Sequence, residues 1–236
     1  MKKKAILLLS GGIDSAVTLY LLKSRGYDVI ALSINYPGRG GERERESARE
    51  LARLTNTKLI EVDLPFMREV DELWNNDNER PSHLRNAHPS TIPARNAIIY
   101  AVAAYYAEVF GIDTIVAGHN ADDTKYFPDT SREFRRFISR ALTIGTYIGR
   151  ARGLRVIAPL SGLSKTDVVR LGLKLGVPFE YTWSCHNNYD VPCGQCSGCL
   201  ARRRAFNELG VKDPLEEAIS NGRDWWLLRK KSLIKP

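Results

Sequence analysis

Cys185, Cys193, Cys196 and Cys199 are the only cysteines in the chain, and they share one run, SCHNNYDVPCGQCSGC. Two successive C-x-x-C steps let sulfurs converge on one ion, and four soft thiolates are a donor set for tetrahedral Zn²⁺. Pro192 and Gly194 suit a tight turn, and Gly198 suits close backbone approach around an ion. Disulfides and a redox C-x-x-C pair are the competing readings. Disulfides need an oxidising compartment, and no secretory signal points to one. Zinc is therefore expected. Four thiolates leave no coordination position open, so the metal is expected to staple the chain rather than to catalyse.

A second group that can do chemistry stands near the start, in Ser10-Gly11-Gly12-Ile13-Asp14-Ser15. The apolar run Ala5–Leu9 before it has strand length. The segment after it carries Val17, Leu21 and Leu22 at helical spacing, with Gly26 as a stop. A strand, a glycine turn and a helix place backbone N–H groups and a positive helix end around a phosphate. Ser10 and Ser15 add hydroxyl donors. Asp14 would repel phosphate directly, so it is expected to hold Mg²⁺ or to orient the loop. No G-x-x-x-x-G-K-S/T pattern follows, so this is not a Walker A loop.

These groups need a sheet to bring them together. A second strand is expected at Val29–Ile34, and Asn35 just beyond it would lie near an adenine and ribose at the carboxyl edge. A charged helix follows over Glu42–Leu54, its charges read as a solvated face. Lys58–Val62 is a third strand. The polar stretch from Asn75 to Ser90 reads as a long loop or lid, with His83 and His88 on it. Thr91-Ile92-Pro93-Ala94-Arg95-Asn96 opens an apolar helix, with Pro93 in its first turn. Arg95 there can offset charge on an α-phosphate or can simply cap and face solvent. Asp113–Ala117 is a fourth strand, leading to Asp122 and Asp123 as candidate Mg²⁺ or ammonia-handling carboxylates. Asp129, with Ser131 and Glu133, can read the donors of a purine-like ring. Ser131 can equally be only a helix cap. The following helix carries Phe134, Phe137, Ile138, Ala141, Leu142 and Ile148 on one stripe, for core or dimer contact. Arg155–Ile157 is a fifth strand. Ser164 caps another helix with Asp167, leaving Lys165 for an anionic ligand at that helix's positive end.

The chain has 236 residues, 43% hydrophobic and 26% charged, enough for one full core and an appendage. The net charge of +8 and pI near 9.4 favour anionic partners such as nucleotides. Basic residues cluster at Arg202, Arg203 and Arg204 and again at Arg229, Lys230 and Lys231, the latter read as a solvated tail. Trp225, Trp226, Leu227 and Leu228 suggest a docked tail or a subunit contact. No apolar run reaches membrane-spanning length, and a cytoplasmic protein is expected.

The SGGIDS turn resembles the SGGxDS loop of the PP-loop ATP pyrophosphatases. Together with TIPARN, the PL…SKTD stretch and the terminal CGQCSGC preceded by Cys185, it resembles the QueC family of deazapurine nitrile-forming enzymes, from Lys4 to about Phe206. The resemblance implies a three-layer α/β/α sandwich of the adenine nucleotide alpha-hydrolase type with a mainly parallel five-stranded sheet. It divides into an ATP-binding domain at 1–178 and a zinc-binding segment at 179–236 packed on the same core. It implies ATP with Mg²⁺ as co-substrate, 7-carboxy-7-deazaguanine and ammonia as the other substrates, and an acyl-adenylate and an amide on the way to a nitrile. Ser10, Gly11, Gly12, Asp14 and Ser15 match the pyrophosphate loop, with Asn35 and Arg95 also placed at ATP. Lys165, Arg95 and Asp14 are the catalytic candidates. Asn96, Asp122, Asp129 and Glu133 are the substrate candidates, and the four cysteines match the zinc ligands. A homodimer is expected and direct tRNA binding is not. Many bacterial members carry a different run after the fourth strand, where this chain has His119-Asn120-Ala121-Asp122-Asp123. A tRNA-thiolating or lysidine-type pyrophosphatase, and a non-catalytic nucleotide-binding module, are the alternatives.

Overall fold

The computed structural model describes residues 3–37, 41–74, 79–88 and 90–222. The tail tryptophans and leucines at 225–228, the basic run at 229–231, and Gly38, Arg39 and Asn75 lie outside them. The elements run β1 (Lys4–Leu8), α1 (Ile13–Ser24), β2 (Asp28–Asn35), α2 (Gly41–Leu54), β3 (Lys58–Asp63), α3 (Val70–Leu73), α4 (Arg95–Phe110) and β4 (Thr114–Val116). Then follow α5 (Arg132–Gly145), α6 (Tyr147–Arg152), β5 (Arg155–Ile157), α7 (Lys165–Lys174), α8 (Ser197–Glu208) and α9 (Pro214–Ser220).

The five strands form one parallel sheet in the order β3-β2-β1-β4-β5. Alternation along β1 explains its three layers. Ala5, Leu7 and Leu9 pack with α1, α7 and α8, whereas Ile6 and Leu8 pack with α4 and α5. β2 repeats the pattern, with Val29 and Ala31 on the first face and Ile30 and Leu32 on the second. The chain winds from β1 out to β3 and then returns to place β4 on the other side of β1. Loops leaving β1 and β4 therefore diverge, and a crevice opens at the carboxyl edge between them.

Two expectations are corrected. Pro93 does not enter the helix: α4 starts at Arg95, and its cap, Ala94, is left-handed at φ 54°. The single helix expected from Ser131 through Ile148 is two. Thr146 breaks it and caps α6, accepting from the Gly149 amide at 3.0 Å, while the Glu108 carboxylate takes the Tyr147 and Ile148 amides. Phe134, Ile138 and Leu142 pack on the core from α5 and Ile148 joins them from α6. Phe137 and Ala141, one position round the helix, are exposed. Ser131 does cap α5, accepting from Phe134 N at 3.1 Å.

The C-terminal segment joins the main core through Ala205 and Phe206, and has its own small cluster of Trp183, Cys185, Cys199 and Leu215. Arg202 is buried rather than solvated. Its guanidinium grips Asp213 through two bonds of 2.6 and 2.7 Å and spends its other donors on Thr182 and the Phe179 carbonyl. Every donor of a buried cation thus meets an acceptor, which offsets its desolvation. Arg203 and Arg204 face solvent. Among the described residues no helix is long and apolar enough to cross a membrane.

Candidate active site

The turn after β1 is shaped by Gly11. Its φ is +88°, and a Cβ there would lie 2.2 Å from the Glu44 carbonyl oxygen of α2. Only a residue without a side chain lets the turn lie on that helix. Ser10 Oγ stands 3.1 Å from Ser15 Oγ and accepts from the Gly12 amide, and the Ser15 hydroxyl donates to the Gly12 carbonyl. The N-cap of α1, Gly12, has no side-chain capping bond, so the helix presents its positive end at the turn. From the far side the Trp183 amide donates to the Gly11 carbonyl at 3.0 Å.

This turn forms one wall of a cavity of about 340 Å³ at the carboxyl edge of the sheet. Ser10, Asp14, Ser15, Asn35, Arg95 and Asn96 all line it. Gly11 and Gly12 supply the backbone beneath. Lys165 reaches the site through Asp14, its Nζ 2.5 Å from Asp14 Oδ2. Asp14 Oδ1 is buried with no protein partner. Asp123 lines the cavity beside it, and burial together with the Asp14 charge raises the Asp123 carboxyl above its usual range. The Asn120 amide holds Asp123 Oδ2 at 2.9 Å.

Asn96 N donates to Asp129 Oδ2 at 2.8 Å, which anchors the start of α4. Its side-chain Nδ2, buried at the cavity wall, has no protein acceptor. Arg95 lies over the Phe127 ring at 5.2 Å, and its charge acts on the Tyr36 side chain. The remaining substrate candidates sit apart from the cavity lining. Asp122 binds Lys125 at 2.7 Å and the Lys165 amide at 3.4 Å. Glu133 is exposed in the first turn of α5. His83 is exposed on the short turn 82–84, and His88 packs against Tyr126 and Phe127.

The cavity also holds residues that the sequence reading assigned no role there: Tyr36, Glu44, Arg45, His119 and His186, the last weighed only as a competing zinc ligand expected to point elsewhere. The charged helix is not a uniformly solvated face. Arg43 and Glu50 are each 5% exposed, and Arg43 donates to the Tyr189 carbonyl of the cysteine loop at 3.1 Å. Glu44 stands four residues before buried Ala48 and seven before buried Leu51, so helical spacing did carry the signal. Burial pushes its carboxyl up to about 7, with Arg95 pulling the other way.

His119 bonds Tyr100 Oη through Nε2 at 2.8 Å. Burial, then the Arg135 and Arg95 charges, hold its imidazole down at about 4. A folded value below the unfolded 6.5 gives stability that is complete above 6.5 and lost as pH falls toward 4. Glu44, being raised, contributes with the opposite sign, so the test is a difference between two proteins. Between pH 7 and pH 5 the parent should lose about 2 kcal/mol more than His119→Gln, or roughly 5 °C of melting temperature. Parallel melting curves at both pH values would show that His119 is not held neutral.

The four cysteine Sγ atoms lie within 4.8 Å of one another. Backbone amides of His186, Asn187, Cys193, Cys196 and Cys199 point at these sulfurs at 3.4 to 3.5 Å. Amides from Gln195 and Cys196 draw the Cys193 thiol down to about 6. Converging sulfurs with amides ready to stabilise thiolates fit a soft, tetrahedral metal ion. A Cβ on Gly198 would lie 2.0 Å from the Ser184 carbonyl, so the loop closes only with glycine there. His186 is not among the converging ligands; it lines the cavity, with its ring packed beside Gly198.

A parallel sheet with a glycine turn at its switch point, and polar groups aimed into the crevice, defines the PP-loop class of ATP-pyrophosphatase-like folds. Solved structures agree. The chain is similar to the NMN synthetase of Francisella tularensis, with a TM-score of 0.51 and 20% identity, covering 94% of this chain and 78% of that one. It is similar to the U34-tRNA thiolase of Methanococcus maripaludis with its 4Fe-4S cluster, with a TM-score of 0.51 and 17% identity, covering 96% of this chain and 73% of that one. At such identities these similarities carry the fold alone. The family profile described as "Queuosine biosynthesis protein QueC" matches residues 4–210, and the chain belongs to that family. It is 42% identical over 222 residues to the 7-cyano-7-deazaguanine synthase of Thermoplasma acidophilum, covering 91% of this chain and 92% of the relative. It is 37% identical over 216 residues to the enzyme of the same name from Nitratiruptor sp., covering 90% and 97%. With them it is an enzyme of the C–N bond-forming ligase class.

Proposed function

We propose that the enzyme uses ATP to activate the carboxylate of 7-carboxy-7-deazaguanine, takes ammonia to give the amide, and activates the amide again to release 7-cyano-7-deazaguanine. The observation that carries this reading is the Ser10–Ser15 turn, without a side-chain cap at the start of α1, lining one cavity together with Arg95 and Asn96. The turn and the start of α1 bind the pyrophosphate that leaves. A carboxylate is a poor electrophile because oxide is a poor leaving group, and adenylation replaces oxide with AMP. Arg95 and Lys165 offset the charge that builds on the α-phosphate as its bond to pyrophosphate breaks. Asp14 holds Lys165 in place with one oxygen. Its other oxygen, with Asp123, would hold Mg²⁺ accompanying ATP, an ion that screens the phosphates. Asn96 Nδ2 offers a donor to the deazapurine acid or its acyl oxygen.

The four cysteines would hold Zn²⁺ as a closed structural site, which supplies rigidity and no open position for substrate. The enzyme works in the cytoplasm, where ATP is supplied and thiols stay reduced. Phe137, Ile144 and Tyr147 are exposed on α5 and at the start of α6, and this apolar face supports a homodimer. Substrate is the free base rather than tRNA. The test is incubation with ATP, Mg²⁺, the carboxydeazaguanine and ammonium, read by phosphate analysis and mass spectrometry. AMP, pyrophosphate and a nitrile are expected. Release of orthophosphate without any pyrophosphate overturns the reading.

A further inference from the structure

Four carboxylates line the cavity: Asp14, Glu44, Glu69 and Asp123. Asp14 is committed to Lys165, and Asp123 is held by the Asn120 amide. Glu69 bears on Tyr36, at the far end of β2. Glu44 is tied to the turn itself. Its backbone carbonyl packs on Gly11, it lines the same cavity as Arg95 and Asn96, and the Arg95 charge acts on its carboxyl. The helix that carries it is itself clamped, since Arg43 bonds the Tyr189 carbonyl and Asp190 of the cysteine loop. Glu44 is thereby held at the cavity wall beside the phosphate turn.

We propose that Glu44 accepts the proton given up by ammonia when its nitrogen attacks the acyl-adenylate, an inference that rests on the adenylation reading above. The nitrogen lone pair forms the new C–N bond. One N–H proton passes to the Glu44 carboxylate. The C–O bond to AMP then breaks, its electron pair leaving with AMP, and the neutral amide remains. Glu44 returns the proton to solvent. Without an acceptor the first adduct carries a positive nitrogen, which is expelled more readily than AMP. A carboxyl balanced between burial and Arg95 so that it titrates near neutrality can both take and release a proton at working pH.

The experiment separates the two halves of the reaction in Glu44→Gln. Exchange of labelled pyrophosphate into ATP, with the acid present and ammonia absent, reports adenylation alone. It should stay within about 3-fold of the parent, because no proton leaves nitrogen in that step. Amide formation at a fixed concentration of free ammonia should fall by roughly 100-fold or more. Hydroxylamine in place of ammonia yields a more acidic adduct nitrogen, and hydroxamate formation should recover to within about 10-fold of the parent. Should Glu44→Gln not fold, Glu44→Asp, which withdraws the charge by one methylene, carries the same comparison. If the variant loses exchange and amide formation in equal measure, or if hydroxylamine brings no recovery, Glu44 is not the proton acceptor. A parent enzyme that shows no exchange overturns the adenylation reading itself, and the role of Glu44 with it.

Discussion

Cys185→Ser is expected to release bound metal and to melt about 10 °C below the parent. A serine hydroxyl stays protonated where a thiolate would bind, so one of four ligands is lost outright. A complete structural zinc site is worth about 10–16 kcal/mol in small zinc-finger peptides, and one ligand in this larger chain is taken at about 4 kcal/mol. The damage should travel. Two residues before Cys185, Trp183 gives its amide to the Gly11 carbonyl, and the loop after Cys185 holds Arg43 of α2 through Tyr189 and Asp190. ATP affinity should therefore weaken by on the order of 10-fold, although no cysteine lines the nucleotide cavity. Metal content per chain, a melting curve and an ATP titration check all three. A variant that keeps one metal per chain and melts with the parent would show that Cys185 is not a ligand.

Gly11→Ala should reduce pyrophosphate release by roughly 100-fold or more. The added carbon would lie 2.2 Å from the Glu44 carbonyl, 2.8 Å from Ser47 Cβ and 2.9 Å from Ala48 N, and two of these three atoms belong to the backbone of α2. Backbone cannot swing aside as a side-chain end can, so either the turn lifts off the helix or the helix shifts. Left-handed strain adds about 1–2 kcal/mol to an overpacking cost of about 1–3 kcal/mol. A lifted turn would misplace the amides proposed to grip pyrophosphate. Gly12→Ala is the control for folding. Its φ is negative, and the nearest atoms to its added carbon are 3.5 Å away, so it should melt with the parent. Full pyrophosphate release by Gly11→Ala would refute the close approach as the reason for glycine.

The central strands β1, β2 and β4 were legible because parallel strands buried on both faces are short continuous apolar runs, whereas the edge strands β3 and β5 carry charges and show as shorter apolar stretches. The turn and the cysteine run were legible because their chemistry is local in sequence. What stayed hidden depends on distant partners. Arg202 sits in a basic run that reads as surface, and only its encounter with Asp213, Thr182 and the Phe179 carbonyl makes it a core residue. Glu44 looks like one of many alternating charges, and its place on the stripe of Ala48 and Leu51 is outvoted by its charge. The break at Thr146 is set by Glu108, nearly forty residues earlier, whose carboxylate offers the next helix a better start than continuation offers the first. Asp122 and Asp123 could not be told apart by pattern. Rotation of a single turn sends one toward Lys125 and the other into the crevice.

The contact between Trp183 and Gly11 sets an order of events during synthesis. The glycine bend is synthesised first, and the amide that secures it comes some 170 positions later, just ahead of the thiols. A nascent chain halted before that point carries the glycine turn but lacks the Trp183 amide that braces it. Completion of the turn therefore waits on the segment that leads into the cysteine run.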